Sequence, residues 1–205
     1  MTPADAFLSD ACPVMAGLVA AHGPFPVTGP KEAIDPYPAL FRTIIYQQLA
    51  GKAAAAIERR VLALTGSDEA PEPEAFLALG EEALRGAGLS RQKLAALRDL
   101  ADKRRDGVVP DGAQIAHLPD DEIVERLVSV RGVGRWTVEM YLLFTLARPD
   151  VWPVNDLGVR AGWAKAHGLA ERPTPKQLMT IADHLRPWRS AAAWYCWRAA
   201  ETVTP

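Results

Sequence analysis

The sequence predicts an all-α chain, and three observations carry that prediction. Alanine, leucine, arginine and glutamate abound, while runs in which Val, Ile and Thr alternate at period two are absent. Apolar residues instead recur three and four positions apart in one segment after another. Residues that start and stop helices punctuate those segments. A chain of 205 residues can bury a core, as one domain or as two small ones with a site between them.

Residues 10–21 form a short helix, with Pro13 in its first turn and Gly23 past its end. A proline-dotted loop covers 24–38. One long helix is predicted from about Tyr37 to Leu64, burying Phe41, Ile44, Ile45, Leu49, Ala53, Ile57, Val61 and Leu64. Tyr46-Gln47-Gln48 interrupts that stripe, and helix-surface glutamines are ordinarily just solvated. The acidic stretch 67–74 leads to two short helical turns, Phe76 to Leu79 and Glu82 to Gly86. Ser90 caps the next helix, whose core face is Leu94, Leu97, Leu100 and Ala101 and which Gly107 closes. Around it lie Arg85, Arg91, Lys93, Arg98, Lys103, Arg104 and Arg105, either a solvated face or a phosphate-facing patch. Arg85-Gly86-Ala87-Gly88 echoes Arg131-Gly132-Val133-Gly134, a match too short to establish a repeat.

Asp120 is an N-cap candidate for a helix with Ile123, Val124, Leu127, Val128 and Val130 on its apolar face, stopping at Gly132. A second pattern runs after Gly134 through Trp136, Val138, Met140, Tyr141, Leu143 and Phe144 and ends before Arg148-Pro149-Asp150. Asp156 opens a further helix through Val159, Arg160 and Trp163 to about Gly168. Thr174-Pro175-Lys176-Gln177 is a capping box followed by Leu178, Ile181, Ala182 and Leu185, with Pro187 as the stop. The last helix spans Ser190 to about Ala200.

The stretch from Leu127 to Asp156 concentrates the chemistry. Gly132 and Gly134 tolerate positive φ and lack a Cβ, so a foreign surface can approach the backbone there. The N–H groups of Gly134, Arg135 and Trp136 begin a helix, where a phosphate oxygen is well accommodated. Taken alone, Gly-x-Gly serves about as often as a plain link between packed helices. The whole pattern, Leu127-x-x-Val130-x-Gly132-Val133-Gly134-x-Trp136-Thr137 with Pro153-x-x-Asp156 and Leu157-Gly158-Val159-Arg160 following, resembles the helix-hairpin-helix (HhH-GPD) DNA glycosylases, most closely the DNA-3-methyladenine glycosylase II (AlkA) type. Gly88-Leu89-Ser90-x-x-Lys93 and the segment from Trp188-Arg189-Ser190 to Trp197-Arg198 extend the likeness over roughly residues 40–200.

The resemblance implies two helical lobes with a cleft between them, without the N-terminal β domain of longer members. The lobes are read as 1–43 plus 149–205, and 44–148 containing the hairpin. It implies that Gly132, Val133, Gly134, Arg135 and Thr137 grip DNA, with Lys93 and Arg189 adding charge. Gln48 falls where the family places the side chain that fills the gap left by a flipped base. Trp136 and Trp197 match pocket aromatics, with Tyr46 in the same set; an isolated Trp is otherwise a core residue more often than not. Met140 and Leu157 stand where the type's best-known pattern has tyrosines, which points to a roomier, less aromatic pocket. Main-chain carbonyls of Val128, Val130 and Val133 would hold a monovalent cation, Na+ or K+. No cofactor is expected for catalysis. Strand-cutting members carry a lysine where this chain has Trp136, so the expected enzyme is a monofunctional N-glycosylase without lyase activity.

The expected substrate is double-stranded DNA bearing alkylated bases such as 3-methyladenine or 7-methylguanine, flipped from the stack. Breaking the N-glycosidic bond builds positive charge on the sugar, and a fixed carboxylate beside it gains value in the transition state. Asp156 is that carboxylate, acting either on the sugar cation or on a water; without its context it would be an ordinary N-cap. The rival reading is a non-catalytic helix-hairpin-helix module that binds DNA structure. It shares Gly132 and Gly134 but needs neither Asp156 nor an aromatic pocket.

Composition sets limits. The net charge of -2 excludes a generally basic nucleic-acid binder, so affinity must come from a local face. Two cysteines, Cys12 and Cys196, cannot supply the four-cysteine iron–sulfur cluster of endonuclease III-like relatives. No apolar run approaches 18 residues and no signal-peptide pattern opens the chain, so a soluble cytoplasmic monomer without membrane contact is expected, working on nucleoid DNA in a prokaryote.

Overall fold

The computed structural model describes residues 1–27 and 35–201. Among them every regular element is helical: α1 (Pro3–Ala11), α2 (Pro13–His22), α3 (Pro36–Tyr46), α4 (Gly51–Ala63), α5 (Pro73–Leu77), α6 (Glu81–Gly86), α7 (Arg91–Arg105), α8 (Gly112–His117), α9 (Asp120–Val128), α10 (Arg135–Met140), a π-helical turn Tyr141–Thr145, α11 (Leu157–Ala166), α12 (Pro175–Ile181), a 3-10 turn Asp183–Leu185 and α13 (Arg189–Glu201). The chain packs as two units, Met1–Glu32 with Leu142–Pro205, and Ala33–Tyr141. The sequence-based division places the joins at 43/44 and 148/149. Residues 28–34 of the predicted loop 24–38 lie outside the described residues.

In the first unit the residues predicted as one helix from 10 to 21 belong to two. Thr2 and Asp5 form a capping box that starts α1, and Pro13 at the first position of α2 restarts the chain after Cys12. Asp5 is fully buried, accepting from Thr2 N at 2.6 Å, Phe25 N at 3.1 Å and Tyr195 Oη at 2.8 Å. Burial alone would raise its pKa. The two backbone donors and the tyrosine outweigh that and hold it below the usual range. Helices α11 and α13 meet at backbone contact: a Cβ on Gly162 would lie 1.7 Å from the Cys196 carbonyl oxygen. Complete burial pushes the Cys196 thiol well above its ordinary pKa.

In the second unit Phe41 of α3 packs edge-on against Phe76, rings 5.2 Å apart, over a core that includes Ile44, Leu97 and Leu100. The long helix expected from Tyr37 to Leu64 is broken. Tyr46 to Leu49 make a turn closed by Leu49 N donating to Tyr46 O at 3.3 Å, with Gln47 at φ -51, ψ 130 and Gln48 at φ 58. Those angles are a type II turn whose third position favours glycine, and a glutamine occupies it. The two glycine-bearing turns share a feature: Gly88 (φ 106) and Gly132 (φ 79) are both left-handed, and each sits two residues before an N-cap, Ser90 and Gly134.

Candidate functional site

Asp156 is set by its loop. Ser190, at the start of α13, accepts from Val151 N at 2.9 Å and donates to Arg148 O at 2.6 Å. Trp152 Nε1 donates to Leu178 O at 3.1 Å, and Asp156 N closes a turn onto Pro153 O at 2.9 Å. The carboxylate caps α11, its Oδ1 accepting from Val159 N at 2.8 Å. The same oxygen accepts from Trp197 Nε1 at 2.9 Å. Gly158 makes that second bond possible. A Cβ there would lie 2.8 Å from Trp197 Cδ1 and 3.1 Å from Asp156 Oδ1.

Trp197 is stacked by Phe144, rings 5.7 Å apart and 25° from parallel. Phe144 is 40% exposed and Leu157 61% exposed, so the carboxylate belongs to a surface that carries aromatic and aliphatic side chains. Sequence periodicity places Phe144 in a buried helical stripe. The π-helical turn shifts its facing, and such insertions concentrate at functional sites. The ring adds an aromatic face beside Trp197 within the first unit.

Arg189 is placed differently from the expectation that it contacts DNA. It is buried, and its guanidinium grips Asp150 through Nε to Oδ1 at 2.6 Å and through a second nitrogen to Oδ2 at 2.9 Å. The bidentate pair holds the loop that leads to Asp156. Its partner lies 39 positions away, beyond the reach of any local pattern.

The second unit holds the hairpin. Val133 N donates to Val130 O at 3.0 Å, and both valines are buried beneath the turn. Gly132, Gly134, Arg135 and Trp136 are exposed, Trp136 by 53%, so this Trp is not a core residue. Thr137 and Met140 are half-buried along α10, and Arg135 pairs with the buried Glu139 at 3.0 Å. Helix α7 braces the turn. Asp99 Oδ2 accepts from Arg131 N at 2.7 Å and from Lys103 Nζ at 2.7 Å, and Lys103 Nζ also reaches Ser129 O at 2.6 Å. Burial opposes the charge on Asp99, but the Lys103 ammonium and the Arg131 N–H prevail and lower its pKa.

Gln48 is exposed on its turn. Lys93 spends its ammonium on the last turn of α3, donating to Ile45 O at 2.6 Å, and partial burial lowers its pKa. Tyr46 Oη donates to Glu58 Oε2 at 2.8 Å, with Arg42 4.3 Å above its ring and paired to the same carboxylate. An open concavity of about 550 Å³ is lined by Gln47, Gln48, Lys93, Arg131 and Gly132 among others. Asp156, Trp197 and Leu157 thus share the first unit, while Trp136, Met140, Tyr46, Gln48 and the hairpin belong to the second. Among the described residues no three His, Cys, Asp or Glu side chains converge as a metal site. None of their helices is long and apolar enough to cross a membrane.

Comparison with known proteins adds an independent line. Residues 41–187 match the HhH-GPD superfamily base excision DNA repair proteins. DNA-3-methyladenine glycosylase 1 of Schizosaccharomyces pombe is 36% identical over 170 residues, covering 83% of this chain and 75% of that protein. The crystal structure of a DNA-3-methyladenine glycosidase from Bacillus halodurans superposes with a TM-score of 0.85 at 29% identity, over 98% of this chain and 90% of the other. The Schizosaccharomyces pombe 3-methyladenine DNA glycosylase (Mag1) in complex with abasic DNA gives 0.76 at 34% identity, over 96% of both chains.

Proposed function

Since the chain belongs to the HhH-GPD superfamily of base excision DNA repair proteins, we propose that it is a monofunctional DNA glycosylase that hydrolyses the N-glycosidic bond of flipped, alkylated bases in double-stranded DNA. The observation that carries this reading is the Asp156 carboxylate, held through one oxygen by Val159 N–H and Trp197 Nε1–H beside the Phe144–Trp197 stack. A fixed carboxylate costs no reorganisation when a sugar cation develops next to it, which is where electrostatic preorganisation acts most strongly. Electron-rich rings suit a base made cationic by methylation, and such a base is already a good leaving group. In this reading the carboxylate acts on the sugar cation or aligns the attacking water. Trp136, where a lyase needs an amine, leaves no nucleophile for a Schiff base.

The turn of Gly132, Val133 and Gly134, exposed at its two glycines, takes the DNA backbone with Arg135 and Thr137, and Gln48 enters the gap left by the flipped nucleotide. In this reading the carbonyls of Val128, Val130 and Val133 would hold a monovalent cation. Val130 O already accepts from Val133 N, and a carbonyl oxygen keeps a second lone pair. Such a cation would supply charge for a phosphate. The protein acts as a monomer on cytoplasmic DNA.

The test is release of free base from methylated duplex by the wild type and by Asp156→Asn. Asparagine still caps a helix, so the variant should fold and bind DNA. Base release is expected to fall at least about a hundredfold. A wild type that binds damaged duplex yet releases nothing from a wide lesion panel would instead favour the non-catalytic module, and a borohydride-trapped adduct would contradict the monofunctional chemistry.

A further inference from the structure

Gln47 precedes the exposed Gln48 on the α3–α4 turn and is engaged elsewhere. Its Nε2 donates to the Gly132 carbonyl at 3.0 Å, joining two loops 85 positions apart. Each loop is also fixed separately to α7. Lys93 holds the end of α3 through Ile45 O, and Asp99 with Lys103 holds Arg131 and Ser129. Those anchors secure the roots of the loops, whereas Gln47 joins their tips at the rim of the 550 Å³ concavity.

We propose that Gln47 is a positioning residue that couples the Gln48 turn to the glycine hairpin, so that gap filling and backbone grip occur as one event on the duplex. This rests on the glycosylase reading above. The chemistry asks for an amide. Gly132 O accepts and cannot donate, so the partner must carry a donor hydrogen, and an ionised carboxylate of the same shape would face the carbonyl lone pairs. The tie is a single exposed neutral hydrogen bond, so its effect is modest and shows itself as non-additivity between the loops. Without it, a duplex can satisfy the hairpin while the Gln48 turn samples other positions.

The experiment perturbs each loop in two backgrounds. Gln48→Ala removes the gap-filling side chain. Gly134→Ala places a methyl group on the hairpin where nothing in the protein lies within 4 Å. Both single variants and the double are made with Gln47 intact and with Gln47→Glu, and affinity for a duplex holding a stable abasic-site analogue is measured by anisotropy. With Gln47 present, the double loss is expected to fall short of the product of the single losses by about three- to tenfold. In Gln47→Glu the losses should multiply to within about twofold. Lowering the pH should restore the coupling there, because a protonated carboxyl can donate to Gly132 O. Equal coupling in both backgrounds at neutral pH, or coupling in Gln47→Glu that ignores pH, overturns the proposal.

Amide exchange of the free protein checks the link without DNA. Exchange near Gly132 should quicken in Gln47→Glu at an unchanged melting temperature, and unchanged exchange also overturns the proposal. Should the wild type fail to bind the duplex at all, the glycosylase reading falls, and the exchange measurement still decides whether the link exists.

Discussion

At the scale of single residues, the least conspicuous member of the site is Gly158. It has no side chain to contribute, yet the space above it is where Trp197 lies against the Asp156 carboxylate. Alanine there must push the indole away, since its Cβ would come within 2.8 Å of Trp197 Cδ1. The helix itself gains from alanine by about 0.5–1 kcal/mol, so overall stability should change little. Gly158→Ala is therefore expected to cut the single-turnover rate of base release by about tenfold with DNA affinity and melting temperature nearly unchanged. A variant with wild-type rate would mean that the Trp197 bond to Asp156 is dispensable. Arg189 makes the opposite point. Its charge reads as a DNA contact in the sequence, but burial and Asp150 make it a brace for the loop carrying the carboxylate. Asp156 itself was legible because it follows the hairpin at the spacing of the family it resembles, whereas the Arg189–Asp150 pair exists only once the chain has folded.

Among the elements, legibility followed the capping chemistry except at Asp120, which is the first residue of α9 with Pro119 before it as the N-cap. Ser90, Thr174 and Asp156 each cap the helix they announce, through Lys93 N, Gln177 N and Val159 N. Helices α1 and α8 carry the same kind of signal, in Thr2 with Asp5 and Asp111 with Gln114, and could have been found from it. The break between α3 and α4 left no such trace. Apolar spacing continues across it, and the left-handed position holds Gln48 instead of a glycine. A non-glycine residue there costs about 1–2 kcal/mol, a local strain that survives where function needs the side chain. Gln48→Gly should hold or raise the unfolding free energy, by up to about 1 kcal/mol, while lowering affinity for abasic duplex. A clear loss of stability would show that the side chain serves the fold and not the DNA. The π-helical turn that presents Phe144 was likewise unreadable, because one inserted residue leaves the apolar composition unchanged while rotating which side chains face outward.

For the molecule as a whole, the near-neutral charge goes together with extensive ion pairing. At least nine of the 23 Lys and Arg side chains are already paired with carboxylates of the same chain: Arg42, Lys103, Arg104, Arg105, Arg126, Arg135, Arg186, Arg189 and Arg198. The exposed pairs among them add little stability. They do remove cations from the pool that could neutralise phosphates. DNA binding that relies mainly on the backbone amides of the hairpin releases few counterions, so a plot of log affinity against log salt should have a slope shallower than about -4. A much steeper slope would reveal a broad basic surface that the pairing pattern does not provide.

The close seam between α11 and α13 has a consequence for chemical durability. A repair protein of this class would meet the same electrophiles that methylate its substrate, and a thiolate is the side-chain form they attack most readily. Cys196 lies in that seam at full burial, with a thiol driven far toward its protonated form. The full burial of Cys196 therefore also shields the helix carrying Trp197 from methylation at its own sulfur.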